Sequence, residues 1–402
     1  MSVLSENGNL SRARLGRMHE VLAHHVGAGD VPGVVALVSR RGEIHVDVLG
    51  RMALDGPPMQ RDTIFRIASM TKPVTAVAAM ILVEECRLRL DDPIDRWLPE
   101  LADRKVLRTI ESGIDDTVPA QRAITLRDLL TFRLGLGMIP VFPARHPIQI
   151  AIADAGFAPG PVFPTFPPDE LLRRYGTLPL AYQPGERWLY NTGSEILGVL
   201  IARVAGMSFA GFLQERIFTP LGMTDTAFHV PPDKLKRLAT CYTRDAATGK
   251  LKVFDEPASC KYAAPPVFEN GGAGLVSTAD DFNAFAQMML NGGRLGTERI
   301  LSRPAVELMT SDQLAPSDKQ GSEFLLGAGR GWGFGLSVVT ARDDLCQVPG
   351  RYGWDGGYGT SWYSDPREEM TGILLTQRML DSPQPPQVFS DFWTLAYQAI
   401  DD

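Results

Sequence analysis

The stretch "FRIASMTKPVTAVAAMILVEE", Phe65 to Glu85, places a serine, Ser69, three residues before a lysine, Lys72, at the head of an apolar helical pattern. Val74, Val77, Ala78, Ile81 and Leu82 recur at three- and four-residue intervals, which predicts one buried helix face. Pro73 fits the first turn, where no amide donor is needed. Residues three apart share a face, so the lysine ammonium falls beside the serine hydroxyl. A helix start also leaves backbone N–H groups free to hold a developing negative charge. The chain has eight lysines, and only Lys72 has a serine three residues before it. A lysine buried among apolar groups loses pKa and can take a proton from serine. The same four residues also describe a capping serine with a solvated lysine, so the rest of the chain must decide.

The chain has 402 residues, more than one core of usual size, which predicts two lobes. Hydrophobic residues make up 44% and charged residues 22%, the mix of a soluble globular protein. A net charge of −7 argues against nucleic-acid or anionic-membrane partners, which need a basic patch. The first residues, "MSVLSENGNLSRARLGRM", lack an apolar run, so no signal peptide is expected, and no uncharged apolar stretch has spanning length. Cys86, Cys241, Cys260 and Cys346 are far apart and unpatterned, as expected of reduced thiols in a cytoplasmic protein.

Outward from Ser69, the pattern is strands at both chain ends and helices between. Ser11 is a candidate cap for a helix with Leu15, Met18, Leu22 and Val26 on one side. "GVVALVS", a turn at "RRG" and "EIHVDVLG" predict a β-hairpin whose second strand alternates Ile44, Val46 and Val48 against His45 and Asp47. "ITLRDLLTF", "SEILGVLIARVAG" and "FAGFLQERIFTPLGM" are amphipathic helical patches. Between the first two lies a segment rich in proline and phenylalanine, "IPVFPARHPIQIAIADAGFAPGPVFPTFPPDE", too apolar for a linker and expected to be a loop packed over a pocket. Thr278 and Asp281 have capping-box spacing before a helix whose inner face is Phe282, Phe285, Ala286 and Met289. "GWGFGLSVVT", "GTSWYSD" and "MTGILLTQ" predict further strands, and a last helix covers about 386–400. The fold class expected is α+β: a sheet from both chain ends, 1–65 and 267–402, with a mainly helical lobe, 66–266, inserted and the active site at the junction.

Common catalytic designs are missing. There is no G-x-S-x-G, and of the histidines at 19, 24, 25, 45, 146 and 229 none follows residue 229, against a Ser-His-Asp enzyme of the α/β-hydrolase type. H-E-x-x-H, Cys/His clusters of ligand spacing and a P-loop are also absent, so no metal or cofactor is expected.

Two later stretches settle the weight on Ser69: "QPGERWLYNTGSEILG", Gln183 to Gly198, and "GRYGWDGGYGTSWYSDP", Gly350 to Pro366. S-x-x-K with two later elements marks class A β-lactamases and penicillin-binding proteins. With "PGERWLY" ending on Tyr190, and with "TLRDLLT", "PLGM" and "GGAGLVST", the chain resembles class C β-lactamases and the related family VIII carboxylesterases from about residue 12 to 380. The resemblance implies the β-lactamase/penicillin-binding-protein (DD-peptidase-like) fold, an antiparallel sheet flanked by helices. It implies Ser69 as nucleophile, Lys72 as its partner and Tyr190 as the tyrosine that shuttles the proton, its pKa lowered by Lys72. Trp354, Asp355 and Gly356 occupy the place of the lactamases' Lys-Thr-Gly. Gly357 and Ser69 are the implied oxyanion-hole amides.

The chain departs from that pattern in two places. Thr192 stands where the family has asparagine, with Asn191 one position early, and the third element has no lysine or histidine. Asp355 would repel the carboxylate of a β-lactam, unless Arg351 reaches round to replace the missing lysine. The expectation is a serine hydrolase acting as a carboxylesterase on small neutral esters, short-chain or hydrophobic, through an acyl-serine. A β-lactam hydrolase or D-alanyl-D-alanine carboxypeptidase, an acyltransferase, and an inactive binding protein on the same fold are the alternatives. Oligomeric state is left open.

Overall fold

All eight residues of Gly33–Arg40, "GVVALVSR", are buried. Side chains alternate across a strand, and here both sides find a core. Val35 and Leu37 enter one apolar cluster, while Val34, Ala36 and Val38 enter another. The strand therefore has to lie inside a sheet covered on both faces. The computed structural model, which describes residues 9–157 and 164–402, places it so. Residues 1–8 and 158–163, the latter part of the proline- and phenylalanine-rich segment, lie outside the described residues.

The seven strands run in the order Arg330–Trp332, Ser337–Val339, Tyr352–Gly356, Thr360–Asp365, Met370–Thr376, Gly33–Arg40 and Glu43–Gly50. Every neighbouring pair is antiparallel. Val34 faces Thr376 on one side and Leu49 on the other, so the two chain ends share one ladder.

Helices Arg12–Gly27 and Gln387–Gln398 cover one face with Leu15, Met18, Leu22, Phe389, Phe392 and Trp393. Helices Thr71–Glu84, Thr192–Ala205 and Ala279–Leu290 belong to the core on the other face. Fully burying side chains such as Phe282 and Phe285, both 0% exposed, contributes roughly 1.5–3 kcal/mol each. Thr278 caps its helix, its hydroxyl accepting from the Asp281 amide at 3.2 Å, but the Asp281 carboxylate, instead of closing a capping box, accepts from the Asp225 amide at 2.7 Å. Among the described residues no single helix is long and apolar enough to cross a membrane.

Three local expectations are corrected. Thr71–Glu84 buries more than one face: every residue from Thr71 to Leu82 is buried. Such a helix is apolar all round because packed elements surround it. On the edge strand Glu43–Gly50, Ile44 is 47% exposed while Asp47 is buried. Asp47 is tolerated there because His19 Nδ1 and His45 Nε2 lie 2.8 and 3.1 Å from its oxygens. Lastly, the segment expected as a loop carries a helix, Pro147–Asp154. Gln149 ties it down, accepting from the His146 amide at 3.1 Å and donating to the Val141 carbonyl at 2.9 Å.

Candidate active site

Ser69 sits in a 3-10 turn, Ala68–Met70, that runs straight into helix Thr71–Glu84. Ala68 has φ of 43°, an uncommon left-handed conformation for a residue with a side chain. Such strain persists only where neighbours over-determine it, and here they do. The Ile67 amide donates to the Leu275 carbonyl at 3.1 Å, and the Thr360 hydroxyl donates to the Ile67 carbonyl at 3.2 Å. Gly356 approaches so closely that a Cβ there would collide with the Ile67 carbonyl oxygen. The turn between strands Tyr352–Gly356 and Thr360–Asp365 thus delivers Gly357, an exposed residue, to the rim of the cavities that Ser69 borders.

Lys72, one turn on and fully buried, donates from Nζ to Ser69 Oγ at 2.9 Å and to the Gly272 carbonyl at 2.6 Å. The loop holding Gly272 is pinned to the same helix. Thr75 donates to the Gly271 carbonyl at 2.7 Å, and the Leu275 amide donates to the Thr71 hydroxyl at 3.1 Å.

Tyr190 arrives from the segment that leads into helix Thr192–Ala205. Its carbonyl accepts from the Met138 amide at 2.9 Å, and the Leu189 amide donates to Phe132 at 2.8 Å. Its ring packs among Phe132, Trp188, Trp332 and Trp354. Its hydroxyl hydrogen-bonds to Ser69 and receives the Trp354 indole N–H at 2.6 Å. Tyr190, remote in sequence from Ser69 and Lys72, therefore meets them at one point.

Burial dominates the electrostatics of both partners. It pulls the Lys72 ammonium down to about 7, with the Glu195 charge opposing it. It pushes the Tyr190 phenol well above its ordinary range, against the hydrogen bonds from Ser69 and Trp354. The expected depression of Tyr190 by Lys72 is thus reversed. Lys72 Nζ lies over the ring face, 4.5 Å from its centroid, and burial outweighs what that contact gives. Near neutral pH Lys72 exchanges the proton and Tyr190 stays a neutral phenol.

Along Tyr352–Gly356 alternation sends Trp354 and Asp355 to opposite faces. Trp354 joins the aromatic cluster, while Asp355 accepts from Ser361 at 2.6 Å and from the Tyr363 hydroxyl at 3.4 Å. Burial holds the Asp355 carboxyl above its usual range. Arg351 is not brought to the site. Its side chain is 1% exposed, with the guanidinium carbon 4.1 Å from the centroids of Tyr363 and Trp393 and Nη1 donating to the Cys346 carbonyl at 2.9 Å. A planar cation caged by rings in the sheet–helix interface cannot serve as a carboxylate anchor.

Two cavities meet at Ser69. One, of about 500 Å³, is walled by Leu136, Met138, Ile139, Ile152, Phe157 and Leu380, with Thr192, Asn191 and Glu195 at its polar end. The other, about 570 Å³, is lined by Trp354, Asp355, Arg330, Glu323 and Asp344 among others. Glu195, Asn270 and Arg330 were not anticipated; a lone glutamate inside "SEILGVLI" was the one signal available for the first of them. Among the described residues no group of His, Cys, Asp and Glu is placed to hold a metal ion.

Comparison with known proteins agrees with the fold. The family model described as Beta-lactamase matches residues 18–387. Protein Rv1367c of Mycobacterium tuberculosis is 41% identical over 88% of this chain and 88% of its own. Esterase EstB of Burkholderia gladioli is 32% identical, again over 88% of each chain. The solved structure of EstCE1, described as a hydrolase with promiscuous acyltransferase activity, superposes with a TM-score of 0.79 at 24% identity. It covers 96% of this chain and 99% of its own.

Proposed function

The chain belongs to the beta-lactamase family, as a serine hydrolase, and within that family we propose that it is a carboxylesterase for small, neutral, hydrophobic esters. One observation carries this reading. Among the described residues, the apolar cavity opening on Ser69 has no lysine or arginine in its lining, and its one charged lining residue is Glu195. A carboxylate-bearing lactam would enter without a counter-ion, whereas an acyl chain needs only the apolar wall. Arg330, on the second cavity, donates to the Tyr363 hydroxyl at 3.0 Å and is attracted to Asp355.

The chemistry follows from the hydrogen bonds. Lys72, neutral above about pH 7, takes the Ser69 proton as Oγ attacks the ester carbonyl. The oxyanion forms against the Ser69 and Gly357 amides. As the C–O bond breaks, the Tyr190 hydroxyl protonates the leaving alkoxide, and the Lys72 ammonium, which lies against the same ring, gives its proton to the Tyr190 phenolate. Water then attacks the acyl-serine by the reverse route and releases the acid; an alcohol in its place would give acyl transfer.

Steady-state kinetics with p-nitrophenyl esters of rising chain length, beside nitrocefin, test the reading. The expected result is kcat/KM for the butyrate or a longer ester far above that for nitrocefin. Equal or higher turnover of nitrocefin overturns the esterase assignment.

A further inference from the structure

We propose that Glu195 is a positioning residue for Lys72, acting through Asn270 and the Gly272 peptide and through its own negative charge. The inference rests on Ser69 and Lys72 being the acyl-transfer pair.

Glu195 lies one turn into helix Thr192–Ala205 and is 8% exposed. A carboxylate taken out of water costs several kcal/mol unless donors satisfy it. Three elements supply them. The Tyr175 hydroxyl donates to Oε2 at 2.6 Å, and the Asn191 and Asn270 side-chain amides donate to Oε1 at 3.0 and 3.3 Å. Asn191 reaches it because its backbone takes φ of 85°, which explains an asparagine one position early beside Tyr190. All three donors are neutral, so none cancels the charge.

The route to Lys72 is continuous. Asn270, while donating to Glu195, accepts the Gly272 amide at 2.7 Å through Oδ1. The carbonyl of Gly272 then accepts the Lys72 ammonium at 2.6 Å. Space at Gly272 is tight: a Cβ there would stand 3.1 Å from both Asn191 Oδ1 and Asn270 Oδ1. Rotation of Asn270 would therefore move the carbonyl that holds Lys72.

The other titratable groups around the pair are Tyr175, Tyr190 and, across the site from Tyr190, Asp355. Burial keeps both phenols protonated, and Asp355 acts on Tyr190 rather than Lys72. The Glu195 field is the charge that opposes the burial of the ammonium.

The test is the pH dependence of Ser69 labelling by a fluorophosphonate, in the wild type, Glu195→Gln and Glu195→Asp. Neutralising the anion disfavours the ammonium, so Glu195→Gln should move the ascending limb to lower pH by roughly half to one unit. Glu195→Asp should return it toward the wild-type position. A limb that stays in place in the Gln variant, or moves equally in both, reduces Glu195 to a packing role and overturns the proposal. Should Glu195→Gln fail to fold, Asn270→Ala cuts the relay and keeps the charge. A labelling rate lowered about tenfold with little shift of the limb is then expected, and an unchanged rate overturns the proposal. If wild-type Ser69 is not labelled at all, the acyl-serine reading itself falls, which separates the two failures.

Discussion

Trp354 donates its indole N–H to the Tyr190 hydroxyl across 2.6 Å. The Tyr190 oxygen thereby has Ser69 on one side and a fixed donor on the other. When the phenol gives up its proton, negative charge gathers on that oxygen, and a donor already in place stabilises it without reorganisation. In the proposed mechanism the Trp354 indole therefore does more than pack.

Trp354→Phe tests this. The ring remains in the aromatic cluster but the N–H is lost. A hydrogen bond to a developing charge contributes about 1.5–3 kcal/mol, so kcat should fall at least about tenfold while KM changes little. A kcat within twofold of wild type would show that the contact only packs.

Lys72 predicts the shape of the pH profile. With the ammonium pulled down to about 7, kcat/KM for a neutral ester should rise with pH and level off above that value. Ser69→Ala should remove activity by several orders of magnitude, because no acyl-enzyme forms. Lys72→Ala and Tyr190→Phe should each be severe and, combined, cost much less than the product of the two. Losses that multiply would mean the two groups act separately.

Arg351 should matter for stability and little for turnover. Arg351→Ala empties a cage made by Tyr363, Trp393 and Tyr397. Urea unfolding should show a loss of about 2–4 kcal/mol, with ester kcat/KM within about threefold of wild type. A large kinetic effect on a fully stable variant would contradict its placement outside the site.

His25 links helix Arg12–Gly27 to the C-terminal helix. Its Nδ1 lies 2.9 Å from Asp30 and its Nε2 lies 2.8 Å from Asp391. Burial pulls its pKa down, but the hydrogen bonds and charges of the two carboxylates outweigh it, and the net shift is upward from 6.5. A raised folded pKa means stability that is complete below the unfolded value and lost as pH rises through the folded one. Chemical denaturation of wild type and His25→Gln should differ most near pH 5.5 and converge toward about pH 9. A difference that grows with pH would reverse the assigned sign.

What could be read from the chain alone was what short-range periodicity encodes. Ser69 and Lys72 are three residues apart on a helix, so their contact needed no tertiary information. The hairpin was legible for the same reason. Glu195 and Asn270 were not, because a buried carboxylate is defined by its donors, and these come from segments far apart. Arg351 was misplaced because charge was weighed and strand alternation was not. Alternation puts it on the face of Asp355 and away from Trp354. On the edge strand the apolar residues suggested the inward face, yet His19 from the covering helix made Asp47 the buried one.

The ladder shared by both chain ends also sets the order of assembly. Gly33–Arg40 leaves the ribosome well before its partner Met370–Thr376. Until that partner arrives, the first hairpin is an edge without a neighbour, exposed to wrong pairings and slow to find the right one. Ser69 waits with it, because Gly356 and Thr360, which hold the Ile67 carbonyl, belong to the late strands. The nucleophile is therefore synthesised well before its seat, and activity should appear only once the later strands have paired.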